Sequence, residues 1–480
     1  GAGGTDSAGN SDNSAARTYC IPGDTSTCNP PVGEWKLDER TGSNAYDTSN
    51  NNNTGTITSA TYVSGKYGSA LQFNGTDTWV ETTLSPAISA ANDYTQTLWF
   101  YPTAEANGVL IDDYNRWEHY IQMNSNRTVK ACYYDYTMVC TPSSSNQVTL
   151  NTWNHIAAVA DSANYIKVFV NGEMWTENTS PGGVETRILN DMVLGASGND
   201  HQNKFTGKID HVKVFDYALS QAQIAYDYNR GAPIGWWKMD ECSGTTIYDW
   251  GPNSNGGYNG NDGLITIGGS GTQTVVGDCE TASSAWDNGE VGKMNYSISL
   301  DGTDDYLSVT DTTIAGMTNY TVTGWFKRSV VGATQYLLYH GNDGASSTPK
   351  CSLYFNTSNQ LVNYNFTYLD DTHKFQFTTT NTYGADTWYH FAMINGPNGN
   401  KLYVDGVQQA GSYSTGDADN TGAWGHCVYT SNPVYFGAWK SGGSMASFMT
   451  AQLDDIRLYN YDLTTSQIQQ VMNNGAVNFK

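Results

Sequence analysis

One stretch occurs twice in this chain of 480 residues. Its first copy is Phe205 to Asn229 (FTGKIDHVKVFDYALSQAQIAYDYN) and its second is Met449 to Asn474 (MTAQLDDIRLYNYDLTTSQIQQVMNN). Each opens on residues that alternate as a half-buried strand should, then passes into an Ala/Leu/Gln-rich run with helical propensity. The copies lie roughly a full domain length apart, too far for a solenoid or a propeller blade. The chain therefore reads as two homologous domains in tandem, each closed by a strand with a short helix behind it.

The rest of the chain repeats in the same order. GEWKLDERTGSNAYD opens the first domain and GWWKMDECSGTTIYD the second, so Trp35, Leu37 and Glu39 match Trp237, Met239 and Glu241. FNGTDTWV corresponds to LDGTDDYL, and TLWFYP to TGWFKR, with Trp99 opposite Trp325. NTWNHIAAV matches DTWYHFAMI, and IKVFVNGEMW matches KLYVDGVQQ, where Asn171-Gly172 and Asp405-Gly406 read as two-residue hairpin turns. The boundaries that follow are a polar leader over 1–32, a first domain over 33–231, a second over 232–474 and a tail over 475–480. The second domain gains a Gly-rich insertion containing Cys279 and Trp286 ahead of its LDGTD turn.

Tyr, Thr, Asn, Ser and Gly dominate while Leu, Glu and Lys are scarce, which favours short strands joined by turns and makes the fold class all-β. A net charge of -23 argues against nucleic acid and against an anionic membrane surface as partners. No apolar run approaches a bilayer span, and the chain starts in polar sequence, so a soluble, mature or trimmed form is expected. Eight cysteines without zinc-finger spacing fit disulfides. Sequence order suggests Cys20–Cys28, Cys132–Cys140, Cys242–Cys279 and Cys351–Cys427 among 105 possible pairings. An extracellular or cell-surface location follows.

The ordered set Trp-x-Leu/Met-Asp-Glu, Asn/Asp-Gly-Thr-Asp, Trp-x-His, Val-Asn/Asp-Gly and Ile/Leu-Asp-x-Val/Ile resembles the laminin-G-like branch of the concanavalin A-like jelly rolls. The resemblance runs twice over residues 33–474, and the tandem arrangement is similar to bacterial surface proteins with two such repeats. It implies two antiparallel β-sandwiches whose first and last strands adjoin.

On that arrangement, alternation groups Trp35, Leu37 and Glu39 on one face, and Asp210, Val212 and Val214 on one face of the closing strand. The second domain repeats this with Glu241 and Asp454. A carboxylate on a core-facing position must be paired, hydrogen-bonded or metal-bound. Glu39, Asp210, Glu241 and Asp454, with Asp77 and Asp304 on nearby turns, are therefore candidate calcium ligands, since hard oxygen donors without His or Cys suit that ion and related jelly rolls bind it at a rim. The alternative is that these carboxylates cap turn amides or accept bonds from Arg and Tyr.

Aromatic side chains in loop-like sequence are candidate glycan platforms: Trp117, Tyr133, Tyr134, Trp424 and Trp439. Trp153/His155 and Trp388/His390 recur on strands without a nucleophile motif and read as packing. A glycosidase of this fold needs two placed carboxylic residues. The Glu-x-Asp-x-x-Glu strand typical of jelly-roll glucanases is absent, and no glutamate follows Glu290. The expected function is thus non-catalytic recognition or adhesion, with a glycan or cell-surface protein bound through rim loops ordered by calcium. The rival is a structural subunit of a surface filament or layer, assembled through leader and tail.

Overall fold

A computed structural model of the chain describes residues 30–89, 93–113, 119–135, 137–161, 165–179, 188–198, 200–251, 261–286, 291–309, 317, 319–341, 350–366, 374–396, 399–415, 433–441 and 443–473. The chain divides into two compact units, the first ending at Gly231 and the second beginning at Ala232. No helix among the described residues is long and apolar enough to cross a membrane.

Each unit is an antiparallel sandwich. In the first, one sheet runs Glu173–Asn178, Tyr165–Val170, Asn154–Asp161, Tyr94–Pro102, Thr206–Phe215, Ser69–Asn74 and Thr61–Ser64, with Gly33–Trp35 also paired to Thr206–Phe215. The opening strand is therefore a neighbour of the closing one, with Trp35 opposite Val212. The other sheet places Gly108–Asp113 between His119–Met123 and Ile188–Leu194. Trp35, Phe73, Leu98, Ile156 and Val212 from one sheet interlock with Val80, Ile111, Ile121, Val129 and Leu194 from the other in a single core. The second unit repeats the plan, with Trp237 opposite Ile456 and Trp237, Phe326 and Ile456 packed on Leu307, Leu338, Leu353 and Phe436.

Local chemistry accounts for the repeat. The opening indoles donate into the same loop in both units, Trp35 Nε1 to the Asn53 carbonyl (2.7 Å) and Trp237 Nε1 to the Asn261 carbonyl (2.9 Å). Asn171-Gly172 and Asp405-Gly406 hold the paired positive φ values of a two-residue hairpin, 53° and 84°, then 49° and 74°. The turn Asn171 and Asp405 also accept the amides of His155 and His390. Behind each closing strand lies a short helix, Gln221–Asn229 or Thr465–Met472, started by a reciprocal capping box from Ser220 with Gln223 or Thr464 with Gln467.

Two sequence-based face assignments are corrected. The opening strands stop at Trp35 and Trp237, and Leu37 and Met239 adopt left-handed backbone (φ 57° and 60°), so Glu39 and Glu241 leave the alternation. Each closing strand carries a bulge where His211 and Asp455 take φ of 48° and 50°. Asp210 therefore opposes Trp99, which packs with Ala70 and Trp153 on the outer side, while Val212 and Val214 enter the core.

The disulfides Cys132–Cys140 and Cys242–Cys279 are formed. Cys351 is disulfide-bonded, while Cys427, Cys20 and Cys28 lie outside the described residues. Cys242–Cys279 closes a span of 37 residues and ties the insertion to the start of the second unit, where Trp286 is buried and donates to the Gly244 carbonyl (3.1 Å). Replacing both cysteines by serine is expected to lower the urea-unfolding free energy of the second unit by about 3 kcal/mol. A loss under about 1 kcal/mol would mean the insertion is held by its other contacts.

Candidate functional site

The carboxylates of the closing strands are tied into turns. Asp210 is fully buried; its Oδ2 accepts the Tyr67 amide (3.0 Å) and its Oδ1 faces His211 Nδ1 (2.9 Å), while His211 Nε2 meets the Arg230 guanidinium (2.8 Å). Asp454, also fully buried, accepts the Met294 amide on Oδ2 (2.7 Å). Asp38, one residue before the predicted Glu39, accepts Ser69 N–H (2.8 Å) on the other side of the Gly65–Gly68 turn. Asp240 repeats this with Tyr296 N–H (3.1 Å). Glu39 accepts from the Tyr46 amide and the Tyr62 hydroxyl, and Glu241 from the Tyr248 amide. Asp77 is exposed and bonds Asn74. Sequence reasoning missed Asp38 and Asp240 because the left-handed residue before each is Leu or Met, types that do not advertise it.

Among the predicted ligands, Asp304 is the one that joins a group of three carboxylates. Its oxygens gather with those of Asp301 and Asp305 within 4.8 Å of one another, the only such group of three among the described residues. Asp304 Oδ2 accepts Ser270 N–H (2.9 Å), Asp301 accepts the Thr272, Gln273 and Thr303 amides, and Asp305 accepts those of Gly268 and Asp301. Asp304 Oδ1 is buried without a hydrogen-bond partner. Burial first, opposed by those amides and reinforced by Asp301 and Asp304, pushes the Asp305 carboxyl up to about 6. The first unit has Asn74, Asp77 and Thr78 at these positions, a single carboxylate, so the grouping belongs to the second unit alone.

A band of aromatic rings covers the outer side of the second unit's other sheet. Leu307, Phe436, Leu338, Leu353 and Leu361 point into the core. The alternate positions carry Tyr306, Tyr435, Tyr339, Tyr336, Tyr354 and Tyr364. Tyr336 stacks on Tyr354 across its strand pair (centroids 4.9 Å apart, planes at 21°). On its other neighbour, Tyr336 stacks with Trp439 (5.4 Å, 19°), presented by the hairpin Trp439–Ser441 with Ser444–Ala446. Tyr435 contacts Tyr306 and Tyr339, and the Lys440 ammonium lies 5.8 Å from the Tyr435 ring. Tyr306, Tyr336, Tyr354, Tyr364 and Trp439 are half-buried, and Tyr339 and Tyr435 fill the band beneath. Burial raises the phenols of Tyr336 and Tyr354 above their ordinary value, so both remain protonated donors at neutral pH. Such a surface offers ring faces for C–H stacking flanked by hydroxyls and one cation.

Of the other predicted platform residues, Tyr133 packs into the first unit's core, because it pairs across the strand with His119 on the inward side. Trp117 and Trp424 lie outside the described residues, as does the side chain of Tyr134. Trp153 and His155 pack as expected, edge-on to Tyr101 and Trp99 (5.5 and 5.3 Å).

A family model described as the concanavalin A-like lectin/glucanases superfamily matches residues 74–225 and 301–469. No curated protein sequence matches. Among solved structures, domain 4 of the GH43 extracellular arabinanase AbnA from Geobacillus stearothermophilus, in complex with arabinotriose, is 22% identical over 41% of this chain and 97% of its own, with a TM-score of 0.32. The binding domain of Paraclostridial Mosquitocidal Protein 1 is 11% identical over 86% of this chain and 98% of its own (TM-score 0.37). The CBM40 of the Ruminococcus gnavus IT-sialidase, bound to alpha2,3 sialyllactose, is 14% identical over 37% of this chain and 96% of its own (TM-score 0.31).

Proposed function

The chain belongs to the concanavalin A-like lectin/glucanase superfamily through both of its halves, and from that premise we propose that it is a non-catalytic extracellular recognition protein that takes up glycan on the tyrosine face of its second domain. The observation that carries this reading is the half-buried stack Tyr354–Tyr336–Trp439, whose rings are held parallel before any ligand arrives. Preordered rings lose little conformational entropy when a pyranose settles on them.

Calcium enters the proposal at Asp301, Asp304 and Asp305. Three clustered carboxylates supply the hard oxygen donors that calcium takes, and the buried Asp304 Oδ1 lacks any other partner. Asp305 immediately precedes Tyr306, so a cation there would fix the edge of the aromatic face. The disulfides suit an oxidising compartment. Self-assembly through leader and tail turns largely on residues 1–29 and 474–480, which lie outside the described ones, so no observation favours that reading.

The test is binding of the purified chain to a broad glycan panel, with calcium and after chelation, for wild type, Trp439→Ala and Tyr336→Ala. Wild type is expected to bind saturably, each variant to lose at least about tenfold, equivalent to about 1.4 kcal/mol, and chelation to weaken binding. Absence of binding by wild type sinks the glycan reading. Unchanged binding by both variants moves the site elsewhere.

A further inference from the structure

The closing-strand sheet of the second domain bears a cavity, and the reason it opens there is legible residue by residue. In the first domain a cross-strand row runs Gln72, Lys208, Tyr101. Those side chains fill their own space: Gln72 bonds the Gly207 carbonyl (2.9 Å), Lys208 lies over the Tyr101 ring (4.9 Å), and Trp153 abuts that ring. The second domain has Ser299, Gln452 and Lys327 at the same positions, followed by Trp388. Loss of the tyrosine and shortening of two side chains open the row. Lys327 swings toward Trp388, 5.6 Å from its ring.

The insertion peculiar to this domain then supplies a wall. Thr272 and Gln273 are held in place by their amides on the Asp301 carboxylate, and Ser283 stands beside Ala285, whose carbonyl accepts the Ser299 amide. The result is a cavity of about 400 Å3 bordered by Gln273, Ser283, Ser299, Lys327, Asp386 and Gln452 among others. That volume lies at the small end of ligand pockets, ~300–1,000 Å3.

Its chemistry is narrow. Leu300 and Ala451 are the only apolar residues that border it; the rest carry hydroxyls, amides, one ammonium and two carboxylates. No ring lies among them, so recognition rests on hydrogen bonds. Two carboxylates, Asp301 and Asp386, border the cavity against a single cation, Lys327, which disfavours an anionic guest. Gln273 borders it, 5% exposed, and its Oε1 has no hydrogen-bond partner.

We propose that this cavity is a second binding site, separate from the tyrosine face and on the opposite sheet, that takes a small neutral sugar by its hydroxyls. The insertion and its disulfide exist to build the wall.

The test uses the full chain and the neutral methyl glycosides of glucose, galactose and N-acetylglucosamine, with methyl glucuronide as the anionic control, read by saturation-transfer NMR and calorimetry. Three variants are compared. Ser299→Gln/Gln452→Lys refills the row with the first domain's residues, Lys327→Met removes the cationic donor while keeping the stem, and Trp439→Ala disables the other face. At least one neutral glycoside is expected to bind wild type and Trp439→Ala alike, at least tenfold more weakly to the refilled chain, and more weakly to Lys327→Met. The glucuronide is expected to bind less than its neutral parent. If no neutral glycoside binds, or if Lys327→Met and the refilled chain both bind as wild type, the cavity is not a sugar site. Loss in Trp439→Ala alone would leave the tyrosine face standing and overturn the cavity; loss in the cavity variants alone does the reverse.

Discussion

Asp227→Asn is expected to cost the first domain about 3–5 kcal/mol, the loss seen when one partner of a buried ion pair is removed. Asp227 projects from the helix Gln221–Asn229 onto the outer side of the sheet, where Oδ1 meets the Lys213 ammonium and Oδ2 meets His155 Nε2 (3.1 Å) and the Thr97 hydroxyl (3.1 Å). The side chains of Asp227 and Lys213 are each 10% exposed and that of His155 is 1%. Burial by itself raises this carboxyl, but the Lys213 charge and the His155 contact outweigh it and hold the group far below the ordinary carboxylate range. Neutralising it removes the charge that holds Lys213 and His155 together at one point, where His155 packs on Trp99 and Tyr228 (5.3 and 6.0 Å). The double variant Asp227→Asn/Lys213→Met should recover much of the loss, because a well-packed apolar pair can replace a buried ionic one. Urea unfolding of the first-domain transition reads both numbers. A single-variant loss below about 1 kcal/mol would show that Lys213 finds water instead. The second domain solves the same position differently: Val471 occupies the helix site, and Arg457 pairs within its own strand with Asp455 (2.9 Å).

The contrast shows what was readable in advance. Order and spacing of the Trp, Asn-Gly and Asp-Gly signatures identified two sandwiches, because those residues answer to local rules: a core indole, a positive-φ turn, a period of two. Asp210 and Asp454 stand out as carboxylates on a buried strand, yet simple alternation assigns them the wrong face, since a bulge at His211 or Asp455 has no residue-type signature. Tyr306, Tyr336, Tyr354 and Tyr435 were invisible as a site for a related reason. Alternating tyrosines are ordinary sheet residues, and only the register between strands far apart in sequence gathers them; Trp439 stands out because it sits in loop-like sequence. The run Asp301 to Asp305 was in plain view, but its meaning depends on the Gly268–Gln273 segment folding over it, and the cavity likewise needs Gln273 and Asp386 brought together over more than a hundred residues.

The second domain is expected to lose stability as pH rises from 6.5 to 8, and Asp454→Asn is expected to abolish that loss. Asp454 has the bulge residue Asp455 beside it where Asp210 has the base His211. Burial first, then repulsion from Asp455 and Asp240, outweigh the amide bonds from Met294 and Lys293 and push its carboxyl up to about 8. A carboxyl raised in the folded state binds its proton more tightly there than in the unfolded chain. Its stabilising contribution is therefore complete below about pH 4 and disappears as pH rises through about 8. At 1.36 kcal/mol per unit the whole window is worth about 5 kcal/mol, and the interval from 6.5 to 8 about 2 kcal/mol. His390 works in the opposite sense. Burial, then the Arg457 charge, lowers it to about 3, so it withdraws stability only as pH falls below 6.5 and is neutral in both states above that. Asp305, at about 6, has largely titrated by then. The interval above 6.5 thus spans the titration of Asp454, and the Asp454→Asn comparison separates it from the other raised carboxyls of this domain. Denaturant unfolding at pH 6.5, 7.25 and 8 should give a falling series for wild type and a flat one for Asp454→Asn, with the variant the more stable at pH 8. A flat wild-type series would mean that Asp454 is ionised throughout.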